Sequence, residues 1–133
     1  MYIVVTGCAG FIGFHLTKRL LKTYNIIGID NLNDYYDQKI KKDRLNILKN
    51  SKKKNEFYFF KKDITNYEQI KNIYKAFDIK IVIHLAAQAG VRYSIDFPRA
   101  YTESNLVGFF NILDLSKKYK IKHFIFASTS SVY

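Results

Sequence analysis

The stretch VVTGCAGFIG, residues 4 to 13, decides the fold of this chain. It begins at the end of a short apolar run, residues 2–5, and carries three glycines spaced three residues apart. The following segment, 11–23, repeats apolar side chains at helical spacing and places its cations elsewhere. The first run predicts a buried strand, and the last segment predicts an amphipathic helix. A glycine-rich turn between a strand and a helix is typical of the first unit of a doubly wound α/β domain.

The rest of the chain continues this alternation of strand and helix. Further strands are predicted at residues 26–30, 56–60, 80–86 and 123–127. Helices are predicted at about 38–49 and 67–76, and from Pro98 to about Tyr119. Such alternation implies a parallel sheet with right-handed crossovers. We therefore expect one α/β domain over residues 1–133, a Rossmann-type doubly wound parallel sheet of about five strands that is incomplete at its C-terminal end.

The three glycines, Gly7, Gly10 and Gly13, point to a phosphate-binding loop. In such loops the first glycine permits a tight turn, the second lets the backbone approach a pyrophosphate, and the third lets the helix pack close to the sheet. Asp30 ends the second strand 23 residues after Gly7, near the offset at which an acid binds the adenosine ribose. A carboxylate at this position disfavours a 2′-phosphate, and no arginine adjoins Asp30 in sequence, so the pattern predicts NAD rather than NADP. The alternative is a glycine-rich turn in an unrelated α/β domain.

The chain is strongly basic, with 22 Lys and Arg against 11 Asp and Glu and a net charge of +11. Residues 39–62 hold ten of these cations and only two of the acids. Such a patch can attract nucleic acid or another anionic surface. The alternative is a solvated helix and loop in a lysine-biased sequence, because the abundant Lys, Asn, Ile, Tyr and Phe share A/T-rich codons. We expect this second interpretation, with no nucleic-acid partner.

Several features bear on compartment and metal content. No uncharged stretch approaches the ~18 apolar residues of a transmembrane helix. The N-terminus begins directly with a strand and has no basic leader, and the single cysteine, Cys8, has no disulfide partner. We expect a cytoplasmic protein without a membrane partner, in which Cys8 fills a small space inside the glycine loop. The three histidines are not at metal-ligand spacing, so no metal site is expected.

Four ordered segments resemble one family. TGCAGFIG (6–13), KDI (62–64), HLAAQ (84–88) and ESNLVG (103–108) are similar to motifs of the extended short-chain dehydrogenase/reductases, in the NAD-dependent epimerase/dehydratase group that acts on nucleotide sugars. GIDNLNDYYD (28–37) and HLAAQAGVRYS (84–94) resemble the UDP-glucuronate 4-epimerases more than the UDP-galactose 4-epimerases. The resemblance covers the whole chain, which looks like the truncated, NAD-binding N-terminal part of such an enzyme.

The resemblance implies NAD as cofactor and a UDP-sugar, UDP-glucuronate in particular, as substrate. The implied cofactor-binding residues are Gly7, Gly10, Phe11, Ile12, Gly13, Asp30, Asn31, Asn33, Asp63, Ile64, Leu85, Ala86, Ala87, Gln88, Asn105 and Ser128. Thr129 matches the family hydroxyl that hydrogen-bonds the sugar O4, and it is the expected catalytic residue. Ser130 and Ser131 are expected to line the same pocket. Arg92 is expected to meet a carboxylate or phosphate, unless it is a surface loop cation.

The implied reaction is 4-epimerisation through transient oxidation at C4 of the sugar. Dehydratases of this group carry an Asp-Glu pair where this chain has Ser130 and Ser131, and hydroxyls cannot replace that acid and base at neutral pH. The family's base is a Tyr with a Lys four residues later, on a helix after the fifth strand, which this chain lacks. Chance matches to that spacing are Tyr35/Lys39, Tyr58/Lys62 and Tyr67/Lys71, and Tyr133 belongs to the terminal turn.

Three functions remain open on these grounds. The first is the NAD-binding half of a UDP-sugar 4-epimerase, inactive by itself, whose C-terminal half supplies the base. The second is a non-catalytic NAD-binding remnant or sensor. The third is a basic nucleic-acid binder that uses residues 39–62. The expected partners are the UDP-sugar and either a C-terminal half or a second copy of the chain.

Overall fold

The computed structural model describes residues 1–51 and 54–132. The strands are β1 (Tyr2–Thr6), β2 (Asn25–Asp30), β3 (Phe57–Lys61), β4 (Ile79–His84) and β5 (His123–Phe126). The helices are α1 (Phe11–Leu20), α2 (Gln38–Asn50), α3 (Tyr67–Ala76), α4 (Val91–Asp96), α5 (Pro98–Tyr101) and α6 (Phe109–Lys118). A π-helical segment, Thr102–Gly108, joins α5 to α6, and a 3₁₀ turn covers Ser130–Val132.

The five strands form one sheet in the order β3-β2-β1-β4-β5. Every pair of neighbours is parallel; Val4 of β1, for example, lies beside Ile27 of β2 and Val82 of β4. With the first strand at the centre, the order reverses direction between β1 and β4. In open α/β sheets, ligands bind outside the carboxyl ends of the strands at such a reversal. The doubly wound parallel fold predicted from the sequence is confirmed.

Helices cover both faces of the sheet because the strands are apolar on both sides. Val5 points to one face, where it packs in a core with Leu45 and Leu48 of α2. Val4 points to the other face, where the core includes Ile70 of α3 and Leu115 of α6. Each face buries its own cluster, so β1 is enclosed on both sides.

The helical regions differ from the sequence prediction in three places. The first helix ends at Leu20 rather than residue 23, and α4 was not predicted. The long helix predicted from Pro98 to about Tyr119 contains the π-helical segment. At its end Gly108 lies so close to the loop after β3 that a Cβ there would come within 2.5 Å of the Ile64 side chain. The second helix, predicted to end at about residue 49, ends at Asn50, and residues 52 and 53 after it lie outside the described residues.

The edge of the sheet formed by β5 is poorly covered. β5 pairs only with β4, and its side chains are largely exposed: Ile125 is 42% and Phe126 50% exposed. Leu106 of the π-helical segment, and Phe110 and Leu113 of α6, are also exposed. Within the described residues, no helix is both long and apolar enough to cross a membrane.

Candidate functional site

A cleft of about 570 Å³ lies at the carboxyl ends of the strands. Its walls come from the loops that follow all five strands. Of the residues that the resemblance assigned to a cofactor, fourteen line it: Gly7, Gly10, Phe11, Ile12, Gly13, Asp30, Asn31, Asn33, Asp63, Ile64, Leu85, Ala86, Ala87 and Gln88. The lining residues not anticipated are Ile29, Tyr35, Tyr36, Asp37, Ile40, Lys41, Arg44, Lys62, Ala89, Ser104 and Ala127. Most of these lie in the loop after β2 and the first turns of α2.

The glycine loop forms the floor of the cleft. Gly7 has a φ of +70°, and a Cβ there would lie 2.9 Å from the backbone nitrogen of Ala86. A Cβ on Gly13 would collide with the carbonyl oxygen of Gly7. These contacts bring α1 close to the end of β1. No side chain caps the N-terminus of α1, and its first turn contains no acidic residue, so its N–H groups remain available to an anion.

Asp30 is held rigidly at the end of β2. It is 8% exposed, its Oδ2 accepts a hydrogen bond from the Ala9 nitrogen at 3.1 Å, and its Oδ1 accepts one from the Leu32 nitrogen at 2.9 Å. A carboxylate offers about four acceptor positions, so about two remain after these bonds. Two adjacent acceptor positions are what a vicinal diol requires.

Two cations of α2 lie beside this carboxylate. Lys41 is 7% exposed; its Nζ donates to the Asn33 carbonyl oxygen at 3.3 Å and to the Asn33 Oδ1 at 3.0 Å, and it lies 4.0 Å from the Asp30 Oδ1. Arg44 donates from Nη1 to the Ala9 carbonyl oxygen at 3.1 Å. No arginine adjoins Asp30 in sequence, but the fold brings Arg44 to the loop that holds it.

A second acid, Asp63, faces the cleft from the loop after β3. Partial burial acts to raise its pKa, but hydrogen bonds from the side chain and backbone of Thr65, and one from Asn31, outweigh that effect and hold the pKa below its usual value. The Thr65 hydroxyl donates to Oδ1 at 2.6 Å, and the Asn31 Nδ2 donates to Oδ2 at 3.2 Å. Asp63 is therefore a fixed, ionised acceptor at neutral pH.

The hydroxyl of Thr6 organises the cleft wall after β4. Its oxygen accepts from the backbone nitrogens of Leu85 and Ala86, both at 3.1 Å, and lies 2.8 Å from the Nδ1 of His84. Two accepted bonds fill both lone pairs of the hydroxyl, so its proton must go to His84 Nδ1. His84 is therefore neutral, with its proton on Nε2. Burial lowers the pKa of His84 to about 4, which agrees with this assignment.

Asn105, in the π-helical segment, fixes the same wall from behind. Its Oδ1 accepts from the Gln88 nitrogen at 2.8 Å, and its Nδ2 donates to the Gln88 carbonyl oxygen at 3.0 Å. Asn105 itself does not line the cleft. It positions the backbone of Gln88, which does.

The hydroxyl residues after β5 are arranged differently. Thr129, Ser128, Ser130 and Ser131 are exposed and do not line the cleft. The Thr129 Oγ1 accepts a local hydrogen bond from the Ser131 nitrogen at 3.1 Å. Arg92, on α4, is also exposed and outside the cleft lining. Tyr133 lies outside the described residues.

No hydrogen bond joins the two residues of any of the three formal Tyr-x-x-x-Lys pairs, all of which fall in the described part of the chain. The Tyr67 hydroxyl donates to Asp114 at 2.8 Å and accepts from Lys118 at 2.8 Å, so it links α3 to α6. Cys8 is fully buried, and burial raises the pKa of its thiol. It fills space inside the loop, as expected, and is not a reactive thiol.

The parallel sheet, the glycine loop and the acid at the end of β2 define a dinucleotide-binding type of α/β domain. The chain belongs to the family described as GDP-mannose 4,6 dehydratase, whose model matches residues 4–133. The resemblance to the NAD-dependent epimerase/dehydratase group is thereby confirmed.

Individual relatives are more specific than the family description. Protein CapI of Staphylococcus aureus is 48% identical over 134 residues, which cover 100% of this chain and 39% of that protein. A UDP-glucuronate 4-epimerase of Thermodesulfobacterium geofontis is 47% identical, with coverage of 99% and 40%. A solved structure of UDP-glucuronic acid 4-epimerase from Bacillus cereus, in complex with UDP-glucuronic acid and NAD, matches with a TM-score of 0.87 and 38% identity over 100% of this chain and 41% of that one. The chain thus spans about two-fifths of the length of these relatives.

Proposed function

We propose that this chain binds NAD and forms the cofactor-binding part of a UDP-sugar 4-epimerase that interconverts UDP-glucuronate and UDP-galacturonate. The observation that carries the proposal is Asp30, a buried carboxylate with two acceptor positions left for the adenosine ribose diol. It lies in one cleft with the glycine loop, where the uncapped N-terminus of α1 suits the pyrophosphate. A relative at 47% identity is named UDP-glucuronate 4-epimerase.

The other lining residues fit the remaining parts of a dinucleotide. Asp63, fixed as an acceptor, suits the amino group of adenine, and Ile64 beside it offers an apolar contact. Leu85, Ala86 and Gln88 form the opposite wall, next to the expected nicotinamide ribose. Bound NAD would supply reversible hydride acceptance at C4 of the sugar, while the protein binds and orients both molecules.

The sugar end of the site would use the hydroxyls after β5. Thr129 would hydrogen-bond the sugar O4, Ser130 and Ser131 would contact the sugar, and Arg92 would meet the carboxylate or the diphosphate of the substrate. A base must still remove the O4 proton. Since no Tyr-x-x-x-Lys pair serves here, we propose that the base belongs to a separate C-terminal segment and that the 133-residue chain alone gives no turnover.

The exposed β5 edge supports this partner. An open parallel edge can pair with another strand, and a helix that follows this strand could cover the exposed Ile125 and Phe126. The length that the relatives have beyond this chain provides one. A second copy of the chain is the competing occupant, and it would show as a concentration-dependent dimer.

A non-catalytic NAD binder is the second candidate. The observation that favours it is that the hydroxyl residues at 128–131 are exposed and do not line the organised cleft. Nucleic-acid binding is not proposed, because two cations of the basic segment, Lys41 and Arg44, are engaged inside the cleft rather than presented on an outer face.

Calorimetric titration of the 133-residue chain with NAD tests cofactor binding. Asp30→Ala should weaken NAD binding at least about 30-fold, since charged hydrogen bonds contribute about 2 kcal/mol. Asp43→Ala, at an exposed position of the same α2 helix, is the matched control and should leave the affinity unchanged. Equal affinity for wild type and Asp30→Ala would refute the assignment of the ribose site.

Supplying the missing segment separates the two candidate functions. The chain fused to the C-terminal remainder of the Bacillus cereus enzyme should convert UDP-glucuronate, while the unfused chain should not. NAD binding without turnover in the fusion, when the fusion melts cooperatively, would favour the non-catalytic binder.

A further inference from the structure

Two loops that border the cleft meet through a pair of tyrosines. Tyr35, in the loop after β2, lines the cleft. Its ring centroid lies 4.7 Å from that of Tyr93, which belongs to α4 and does not line the cleft. We propose that this pair, the tyrosine clasp, couples the cleft to residues 89–101, so that bound NAD orders this segment and the segment in turn tightens NAD binding. The inference rests on the proposed function, since it assumes that the cleft binds NAD.

The segment 89–101 lies on the surface of the domain. Its helices α4 and α5, which the structure describes in full, contain no buried residue. Its two ends are tied together, because the Tyr101 hydroxyl donates to the Ala89 carbonyl oxygen at 2.6 Å. This tie leaves α4 dependent on contacts such as that of Tyr93 with Tyr35. Exposed segments of this kind open at a low cost in free energy, so one added contact changes how often they open.

The other side of the clasp stands between two fixed points of the loop after β2. Before Tyr35, the side chain of Leu32 is buried in the core that α2 covers. After it, the Asp37 side chain caps the N-terminus of α2. The Tyr35 hydroxyl also lies so close to Gly90 that a Cβ on that glycine would collide with it. Tyr35 therefore contacts the segment both at its beginning and at α4, from a loop that is itself anchored.

A ligand in the cleft that restricts Tyr35 also restricts Tyr93 through the clasp. An aromatic pair at this separation is equivalent to about a three- to tenfold change in an equilibrium constant. Coupling between two sites is reciprocal, so the ordering of the segment by NAD and the gain in NAD affinity have the same size. Arg92, which we propose to meet the UDP-sugar, precedes Tyr93 on α4. Its position would then be fixed best once the cofactor is bound.

The test measures the NAD dissociation constant of the 133-residue chain by calorimetry. Tyr93→Ala should weaken NAD binding about three- to tenfold, although Tyr93 does not line the cleft. Tyr93→Phe keeps the ring and should bind NAD as wild type does. Ile95→Ala, at an exposed apolar position of the same helix, is the matched control and should also leave the affinity unchanged. On a Tyr35→Ala background, Tyr93→Ala should cause no further loss, because the clasp is already broken.

Hydrogen exchange of the backbone amides in residues 89–101 measures the other side of the coupling. Saturating NAD should slow this exchange about three- to tenfold in wild type and leave it unchanged in Tyr35→Ala. The inference is overturned if Tyr93→Ala binds NAD as tightly as wild type, if it weakens binding equally with and without Tyr35, or if NAD leaves the exchange of wild type unchanged. In each of these cases NAD binding by wild type would still support the proposed function. If wild type does not bind NAD, the proposed function fails and takes the inference with it.

Discussion

The cofactor cleft and the segment after β5 lie at the same end of the sheet, but they are built in opposite ways. Around the cleft, polar side chains bridge distant parts of the chain: Asp30 to the glycine loop, Thr6 to the strand β4, and Asn105 to Gln88. In the segment 128–131 the described side-chain hydrogen bond is local, between Thr129 and Ser131. One region is organised by contacts between distant parts of this chain, while the other has only a local contact of this kind among the described residues.

This difference indicates which part of the proposed enzyme binds the cofactor and which part contacts the sugar. The two acids that would hold the dinucleotide, Asp30 and Asp63, are already fixed by hydrogen bonds before any ligand arrives, which lowers the entropic cost of binding. The groups that would contact the sugar are exposed and held by few contacts. Cofactor binding should therefore be a property of this chain, and catalysis a property of the assembled protein.

Among the changes that test this contrast between the cleft and the segment after β5, the largest loss of stability is expected at Gly13. An alanine Cβ there would meet the backbone of Gly7, which cannot move without displacing the whole loop. Gly13→Ala should cost about 3 kcal/mol or more in the free energy of unfolding, measured by urea denaturation. Gly10→Ala is the matched control, because its Cβ would lie at 3.2 Å from the Gly7 oxygen and needs only a small adjustment. Equal stabilities for the two variants would contradict the close packing of α1 on the loop.

The next largest loss of stability is expected when the pH is lowered, because of His84. His84 has a pKa of about 4 in the folded chain and about 6.5 when unfolded. Between these values the unfolded state binds more protons, so stability should fall as the pH drops from about 6.5 to 4, by about 3 kcal/mol at most. Urea midpoints measured across this range test it. His84→Asn should flatten the profile, whereas His123→Gln, at an exposed position, should not.

A smaller effect is expected at Asn105. Asn105→Ala leaves both backbone groups of Gln88 without their partner and should cost about 2 kcal/mol in stability. It should also weaken NAD binding, because Gln88 lines the cleft. Asn72→Ala, at an exposed position of α3, is the control. An unchanged melting temperature for Asn105→Ala would show that the π-helical segment does not support the cleft.

The smallest effect is expected at Thr129. Since this side chain is exposed, Thr129→Ala should change the stability of the isolated chain by less than about 0.5 kcal/mol. In the fusion that carries the C-terminal segment, the same substitution should lower kcat for UDP-glucuronate. A large loss of stability in the isolated chain would mean that the segment after β5 is as organised as the cleft.

The sequence predicted the fold well because the fold depends on local patterns. Buried strands such as 26–30 are continuous apolar runs, and α3 was predicted with the same bounds, 67–76, as the structure has. The glycine loop and Asp30 were predictable because a motif marks them, with three glycines at a fixed spacing and an acid at a fixed offset after them. The π-helical segment was not, since it depends on the approach of Gly108 to Ile64, 44 positions apart.

The cleft was predictable only where a motif marks it. Lys41 and Arg44 follow no motif; in the sequence they are two cations in a basic helix. Their roles come from the way α2 folds back over the glycine loop, which sets Arg44 against Ala9, 35 residues away. Lys41 became visible as a special residue only through its burial, and burial of a single lysine is not encoded by periodicity.

The strand order has a consequence for the newly made chain. Because β1 lies at the centre and β5 at an edge, every residue that lines the cleft except Ala127 belongs to the first 104 residues. Apart from Ala127, the whole lining of the cleft is therefore translated well before the hydroxyls of 128–131. We expect stalled nascent chains that expose residues 1–122 to retain NAD, so that in the proposed enzyme the cofactor could bind before the C-terminal segment is made.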